Sequence, residues 1–206
     1  MSVCFEKVSF SYDAAPILQA VSWRLPDSGV VCLWGASGCG KTTALRLLAG
    51  LEKPAVGKIS GVGRVAMVFQ EDRLLPWRTA LENVMLIGAN EALAKEVLAT
   101  LGLTETEMGE YPAHLSGGQQ RRVALARVLA AESDLLLLDE PFNGLDEGTW
   151  QDVVRLIRQV AESRPVVLVT HIPEQVQALN AAVVHLGDAP QSGEWQAVDF
   201  LRENAV

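Results

Sequence analysis

Gly35-Ala36-Ser37-Gly38-Cys39-Gly40-Lys41-Thr42-Thr43 is the stretch on which the reading of this chain turns. An apolar run, Val30-Val31-Cys32-Leu33-Trp34, precedes it, and a helical pattern, Ala44 to Ala49, follows and stops at Gly50. Strand, glycine loop and helix in that order fit the phosphate-loop pattern G-x-x-x-x-G-K-[ST]. Each part has a task. Glycines let backbone N–H groups curl around phosphate oxygens, and the helix presents its positive end to the same anion. Gly35, Ser37, Gly38, Cys39 and Gly40 form the cradle, with Thr43 in the first helical turn. Lys41 is placed to reach the β- and γ-phosphates, and the Thr42 hydroxyl is a ligand for Mg²⁺. Cys39 lies inside the loop at a helix N-terminus, where thiols ionise more readily. The stretch reads as a nucleoside triphosphate site.

The rest of the composition is compatible with such a site. The 206 residues suffice for one domain with a sizeable core, and 49% hydrophobic content describes a compact chain. No apolar run reaches the length of a membrane-spanning helix, and the first residues lack the layout of a secretory signal. A cytoplasmic location is therefore expected. Cys4, Cys32 and Cys39 have neither metal spacing nor the number for a disulfide framework. The net charge of −8 argues against nucleic acid as a partner.

Upstream of the loop, Ser2–Phe10 and the alternation around Val21, Trp23 and Leu25 read as antiparallel strands, with a turn at Asp13 and Pro16. Tyr12 sits at the edge of that turn, and alone it fits strand-end packing better than base stacking. Downstream, Lys53–Gly63 reads as a loop because of its Pro and Gly content. Val65–Phe69 reads as a short strand ending in Gln70. The loop after it, Glu71-Asp72-Arg73-Leu74-Leu75-Pro76-Trp77, has apolar residues that no strand or helix period buries. Helices are expected over about Thr79–Ile87 and Glu91–Leu101, the second capped by Gly102. Thr104–His114 reads as polar and irregular.

Leu115-Ser116-Gly117-Gly118-Gln119 opens another helix, Gln120 to Ala131. Ser116 with two glycines at a helix start is either an anion site or simply an N-cap. Leu135–Leu138 is an all-apolar strand ending in Asp139 and Glu140, which suits a central parallel strand, where α/β ligand sites lie. Asp139 is placed to hold Mg²⁺ and Glu140 to polarise the attacking water. Pro141–Asp146 leads into a helix, Glu147–Ala161. Val166–Val169 is a further buried strand, followed by Thr170 and His171. A lone histidine there is more often incidental than a γ-phosphate sensor. Ala182–Leu186 reads as a last strand, and Asp188–Val206 as a tail without a motif.

Taken together, the constellation resembles the ATP-binding-cassette (ABC) ATPases. Gly35–Thr43 is similar to the Walker A loop, Gln70 to the Q-loop glutamine and Leu115–Gln119 to the family signature. Leu135–Glu140 resembles Walker B with its catalytic glutamate, Asn143–Asp146 the D-loop, His171 the switch histidine and Tyr12 the adenine-stacking aromatic. The resemblance runs from Tyr12 to His171, and the signature separates this family from other phosphate-loop proteins. Trp34 and Val30 depart from its usual residues, outside the expected chemistry.

The resemblance implies an α/β fold of the P-loop NTPase type. A mostly parallel central sheet, an N-terminal antiparallel β-subdomain and an inserted α-helical subdomain at about 71–115 would make up one domain over 1–206. Glu140, His171 and Gln70 are the implied catalytic residues, with Thr42, Gln70 and Asp139 around Mg²⁺. It further implies a nucleotide-sandwich dimer, with a second copy or a homologous ATPase. ATP would be held by one chain's loop and by Ser116, Gly117, Gly118, Gln119 and Asp146 of the other. Leu74-Leu75-Pro76-Trp77 with Asn83-Val84 resembles importer ATPases of the nitrate, sulfonate and taurine type. That implies an integral membrane permease docked near Leu74, Leu75 and Trp77, a substrate-binding protein met only indirectly, and a peripheral location on the cytoplasmic face of the inner membrane. A non-transport member, such as the iron–sulfur assembly type, stays open at this level. A small-molecule P-loop kinase is disfavoured by the signature.

Overall fold

The computed structural model describes residues 2–199. Its centre is a six-stranded sheet in the order β10-β8-β3-β7-β6-β5. These strands are β3 (Gly29–Gly35), β5 (Val65–Val68), β6 (Leu135–Asp139), β7 (Pro165–Val169), β8 (Ala182–Leu186) and β10 (Val198–Asp199). All neighbours are parallel except β10, which runs against β8. Leu135 to Leu138 on β6 and Val166 to Leu168 on β7 are sealed on both faces, each with 0% exposure. A strand covered on both sides shows no polar alternation, which is why β6 and β7 read as continuous apolar runs.

Successive side chains on these strands go to opposite faces. Leu136, Leu138, Val166 and Leu168 pack with α5 (Gly117–Leu129), α6 (Glu147–Ala161) and α7 (Pro173–Leu179). Leu135, Leu137, Val167 and Val169 pack with α1 (Lys41–Leu48) and a second sheet. Truncating one such leucine to alanine costs about 2–5 kcal/mol. The second sheet has the order β4-β1-β2-β9, from β1 (Cys4–Tyr12), β2 (Ala15–Arg24), β4 (Val56–Ser60) and β9 (Gln191–Trp195). Thus α1, the helix that follows the phosphate loop, is enclosed between the two sheets.

Four expectations need correction. Lys53–Gly63 contains the edge strand β4, paired antiparallel with β1. Its Gly57 sits where the register shifts, at φ +81°, and a Cβ there would lie 2.4 Å from the Glu6 and Lys7 carbonyls. The glycine marks a bulge with close backbone approach rather than a loop. Thr104–His114 is not irregular: Thr104 and Glu107 form a capping box that starts α4 (Glu105–Met108), and a 3₁₀ turn spans Pro112–His114. The turn between β1 and β2 lies at Asp13–Ala14, and Pro16 already belongs to β2. Ala182–Leu186 is not the last strand. β9 runs parallel to β2 and brings Trp195 within 5.5 Å of the Trp23 ring centroid and 6.3 Å of Phe5's. Part of the supposed tail therefore completes a core; its residues 200–206 lie outside the described residues.

Between β5 and α5 the chain forms α2 (Ala80–Met85), α3 (Glu91–Thr100) and α4, and all three contribute to the core that α5 shares. Parallel pairing aligns the carboxyl ends of β3, β5, β6 and β7, so Leu33 and Asp139 both sit opposite Val169. The phosphate loop, Gln70, Glu140 and His171 all follow directly from those ends. The sheet topology creates the site.

Candidate nucleotide site

Gly40 precedes α1 at φ +106°, a left-handed conformation that costs glycine little. It caps the helix without a side chain, so the first-turn N–H groups are free to meet an anion. At Gly35 a Cβ would lie 2.5 Å from the Leu186 carbonyl, so no larger residue fits. Lys41 arches back over the loop, its Nζ donating to the carbonyls of Gly35 (2.8 Å) and Ala36 (2.7 Å). Cys39 is only 3% exposed, beneath the loop and with Sγ 3.8 Å from Lys41 Nζ. The structure thus buries the one cysteine of the phosphate loop.

One cavity of about 520 Å³ gathers Gly35, Ser37, Gly38, Gly40, Lys41, Thr42, Thr43, Gln70, Glu140 and His171. A larger hollow, about 790 Å³, lies on the antiparallel sheet among Glu6, Lys7, Lys58 and Glu194, away from every one of these groups. Behind the cavity wall Thr42 Oγ1 donates to Asp139 Oδ2 at 3.1 Å. Burial raises the Asp139 carboxyl above its ordinary range, and the Thr42 hydrogen bond only partly opposes this. Glu140 is left-handed, at φ +48°, a conformation that is strained for a side chain of this kind. Its Oε2 accepts from Asn143 Nδ2, and its Oε1 lies 3.7 Å from His171 Nδ1.

Other predicted residues lie outside this cavity. Tyr12 packs edge-on against Phe10, and its hydroxyl lies 3.4 Å from both Arg46 Nη1 and Glu52 Oε1. Ser116 is the N-cap of α5, in a capping box with Gln119, whose amide also donates to Glu107 at 2.5 Å. Asp146 caps α6 through Thr149, and that bonding holds its carboxyl below the usual range. Gly118 lies beside Gly144, so the start of α5 and the loop before α6 form one surface. Within one chain this surface and the phosphate-loop cavity remain separate.

Two arginines escaped the sequence reading. Arg121, 5% exposed, donates to the carbonyls of Phe69, Asp139 and Glu140 and to the Asp72 carboxylate. Arg127 donates to the carbonyls of Asp72 and Arg73. A signal existed: Arg121 heads the stripe Arg121, Ala124, Leu125, Val128, all buried on α5. A charge on the apolar face of a helix needs a partner.

A family model described as ABC transporter matches residues 18–143. The aliphatic sulfonates import ATP-binding protein SsuB 3 of Paraburkholderia xenovorans (strain LB400) is 46% identical over 173 residues, 82% of this chain and 70% of that protein. SsuB 1 of Rhodococcus jostii (strain RHA1) is 40% identical over 190 residues, covering 88% and 77%. Among solved structures, the dimeric post-hydrolysis state of the ATP-binding cassette MJ0796, bound to ADP and Pi, superposes with a TM-score of 0.82. It is 28% identical, and the match covers 96% of this chain and 98% of that one. With a family model over most of its length, relatives at 40–46% identity and a matching fold, the chain belongs to the ABC transporter family.

Proposed function

We propose that this chain is the ATP-hydrolysing subunit of an importer, working as one domain over 1–206 with 71–115 as its helical subdomain. One observation carries the site assignment: the amide cradle, Lys41, Gln70, Glu140 and His171 converge on a single cavity. In this reading the first turn of α1 and Lys41 hold the phosphates, and Glu140 takes the proton from the attacking water. His171 and Asn143 orient that carboxylate from either side. Tyr12, exposed at the end of β1, stacks on the adenine.

Mg²⁺ fits the donor set. Thr42 and Asp139 offer hard oxygens side by side, and a buried carboxylate with a raised pKa is short of positive charge. Thr42, Asp139 and Gln70 are the residues that would hold it, and the ion would neutralise phosphate charge. The surface made by Ser116, Gly117, Gly118, Gln119 and Asp146 serves the ATP of a second copy or a homologous ATPase, which explains why it stands apart from the chain's own cavity.

The membrane partner is a permease, and the names of the relatives, which are aliphatic sulfonate import proteins, support an organic sulfonate as the class of cargo. The subunit works at the cytoplasmic face of the inner membrane, and no helix among the described residues is long and apolar enough to cross it. The permease and its substrate-binding protein, rather than this chain, meet the cargo. Docking falls on the loop after Gln70, near Leu74, Leu75 and Trp77. Here Trp77 is 68% exposed while Leu74 and Leu75 are half-buried, Leu74 against the core. Met85, Leu86 and Ile87 at the end of α2 are also exposed.

The decisive experiment is Glu140→Gln. Turnover should fall about 10²–10⁴-fold with ATP binding retained, and ATP should then trap a dimer visible by size-exclusion chromatography. Hydrolysis at the wild-type rate would refute the assignment.

A further inference from the structure

We propose that Arg121 is a positioning residue for ATP hydrolysis: its guanidinium clamps the main chain at Glu140 to the segment flanking Gln70. The inference rests on the reading of Glu140 as the general base and Gln70 as a nucleotide contact. It adds a residue that none of the motifs contains.

The geometry divides the guanidinium between two loops. Nη2 donates to the Glu140 carbonyl at 2.6 Å and lies 3.4 Å from that of Asp139. Nη1 donates to the Phe69 carbonyl at 2.9 Å, one residue before Gln70, and to Asp72 Oδ1 at 3.1 Å, two residues after it. Both catalytic loops are therefore held from one buried point on α5.

The target of that hold is strained. Glu140 at φ +48° and Arg73 at φ +46° are both non-glycine residues in the left-handed region. Such conformations persist only where their surroundings fix them. The Glu140 carbonyl is bonded by Arg121, and the Arg73 carbonyl by Arg127 at 3.0 Å, further along the same helix. So α5 holds the main chain of both strained residues with a charge-assisted donor.

A stabilising role alone explains this poorly. A buried guanidinium is costly to desolvate, and the one carboxylate it bonds among the described residues, Asp72, is itself partly exposed. Three of its four acceptors are main-chain carbonyls, which fix position without neutralising charge. The two-pronged planar fork matters. A lysine ammonium is a single compact centre and cannot hold both loops at once. Releasing Nη2 lets the Glu140 carbonyl swing, and the carboxylate moves with it. A displacement near 1 Å costs about a hundredfold in rate.

The test is Arg121→Lys, which keeps the charge, assayed alone and together with Glu140→Gln. The expected result for the single variant is a kcat about tenfold to a hundredfold lower, with KM for ATP within about twofold and the melting temperature retained. The decisive readout is the double variant. If Arg121 acts through Glu140, adding Arg121→Lys to Glu140→Gln should slow the residual hydrolysis no further. Unchanged kcat in the single variant overturns the proposal. So does a parallel loss of ATP affinity and melting temperature, or an additive loss in the double variant, because each marks a merely structural arginine. Wild-type turnover by Glu140→Gln refutes the base assignment itself, whereas a slow Glu140→Gln beside a fully active Arg121→Lys refutes the clamp alone. If Arg121→Lys does not fold, Asp72→Ala removes the side-chain acceptor of Nη1 at a partly exposed position; lower kcat at unchanged KM supports the clamp, and wild-type kcat overturns it.

Discussion

Trp77→Ala separates a docking surface from a core contact, because the two make different demands on the same ring. A fully buried tryptophan removes up to about 250 Å² from water. At 68% exposure Trp77 already covers roughly 80 Å² of that area against its own chain and leaves about 170 Å² for a partner. At about 25 cal/mol per Å² these areas are worth about 2 kcal/mol and about 4 kcal/mol, both upper figures. The isolated subunit should then melt at most about 4–8 °C lower, at roughly 2–4 °C per kcal/mol for a chain of this size. Affinity for the permease should fall by about 10²–10³. The single substitution is cleaner than one that includes Leu75. Leu75 is partly buried, and buried Asn83 bonds its N–H and its carbonyl at 2.8 and 3.1 Å. Melting is followed by circular dichroism, and partner affinity by titrating detergent-solubilised permease with labelled subunit. Unchanged partner affinity, with a clear fall in melting temperature, would show that Trp77 serves only its own core.

Asp139→Asn should stabilise the nucleotide-free subunit while abolishing Mg²⁺-dependent hydrolysis. Burial raises this carboxyl, so the folded chain holds the proton more tightly than the unfolded one, and stability falls as pH rises from the ordinary value of 3.8 towards the folded value. Removing the ionisation should recover about 0.5–2 kcal/mol at neutral pH, a gain in melting temperature that vanishes in acid; a lower melting temperature at neutral pH would contradict it. Cys39, at 3% exposure, should react with a small maleimide far more slowly than the partly exposed Cys4, and bound ATP should slow it further. Mass spectrometry of the labelled peptides checks this, and labelling of Cys39 as fast as that of Cys4 would show that the phosphate loop opens on its own.

What the sequence made legible, and what it did not, follows the range of the interactions involved. The phosphate loop is local: glycines, a lysine and a hydroxyl within nine residues that need only a strand before and a helix after. Glu140 was legible because it ends an apolar strand, whereas His171 read as incidental until the family resemblance gave it a role; parallel pairing brings both strand ends together. The strand β4 was hidden because Gly57, which reads as a loop residue, is required by the close approach of β1, and that approach is a tertiary fact. β9 was hidden for a similar reason: Trp195 gains its meaning only beside Phe5 and Trp23, far away in sequence. Arg121 is the instructive case. Its partners lie 18 to 52 residues away, and most are main-chain carbonyls, which have no residue identity to read. What sequence can register is only the misfit, a guanidinium at the head of an apolar helical stripe. Such a misfit has two physical outcomes. The side chain reaches solvent along its aliphatic stem, or it stays buried and bonds whatever carbonyls the fold presents. Arg121 takes the second, and the carbonyls presented to it belong to the segments that carry Gln70 and Glu140. On the proposed function, a helix start that serves one ATP is thereby joined, within a turn and a half, to the base that acts on another.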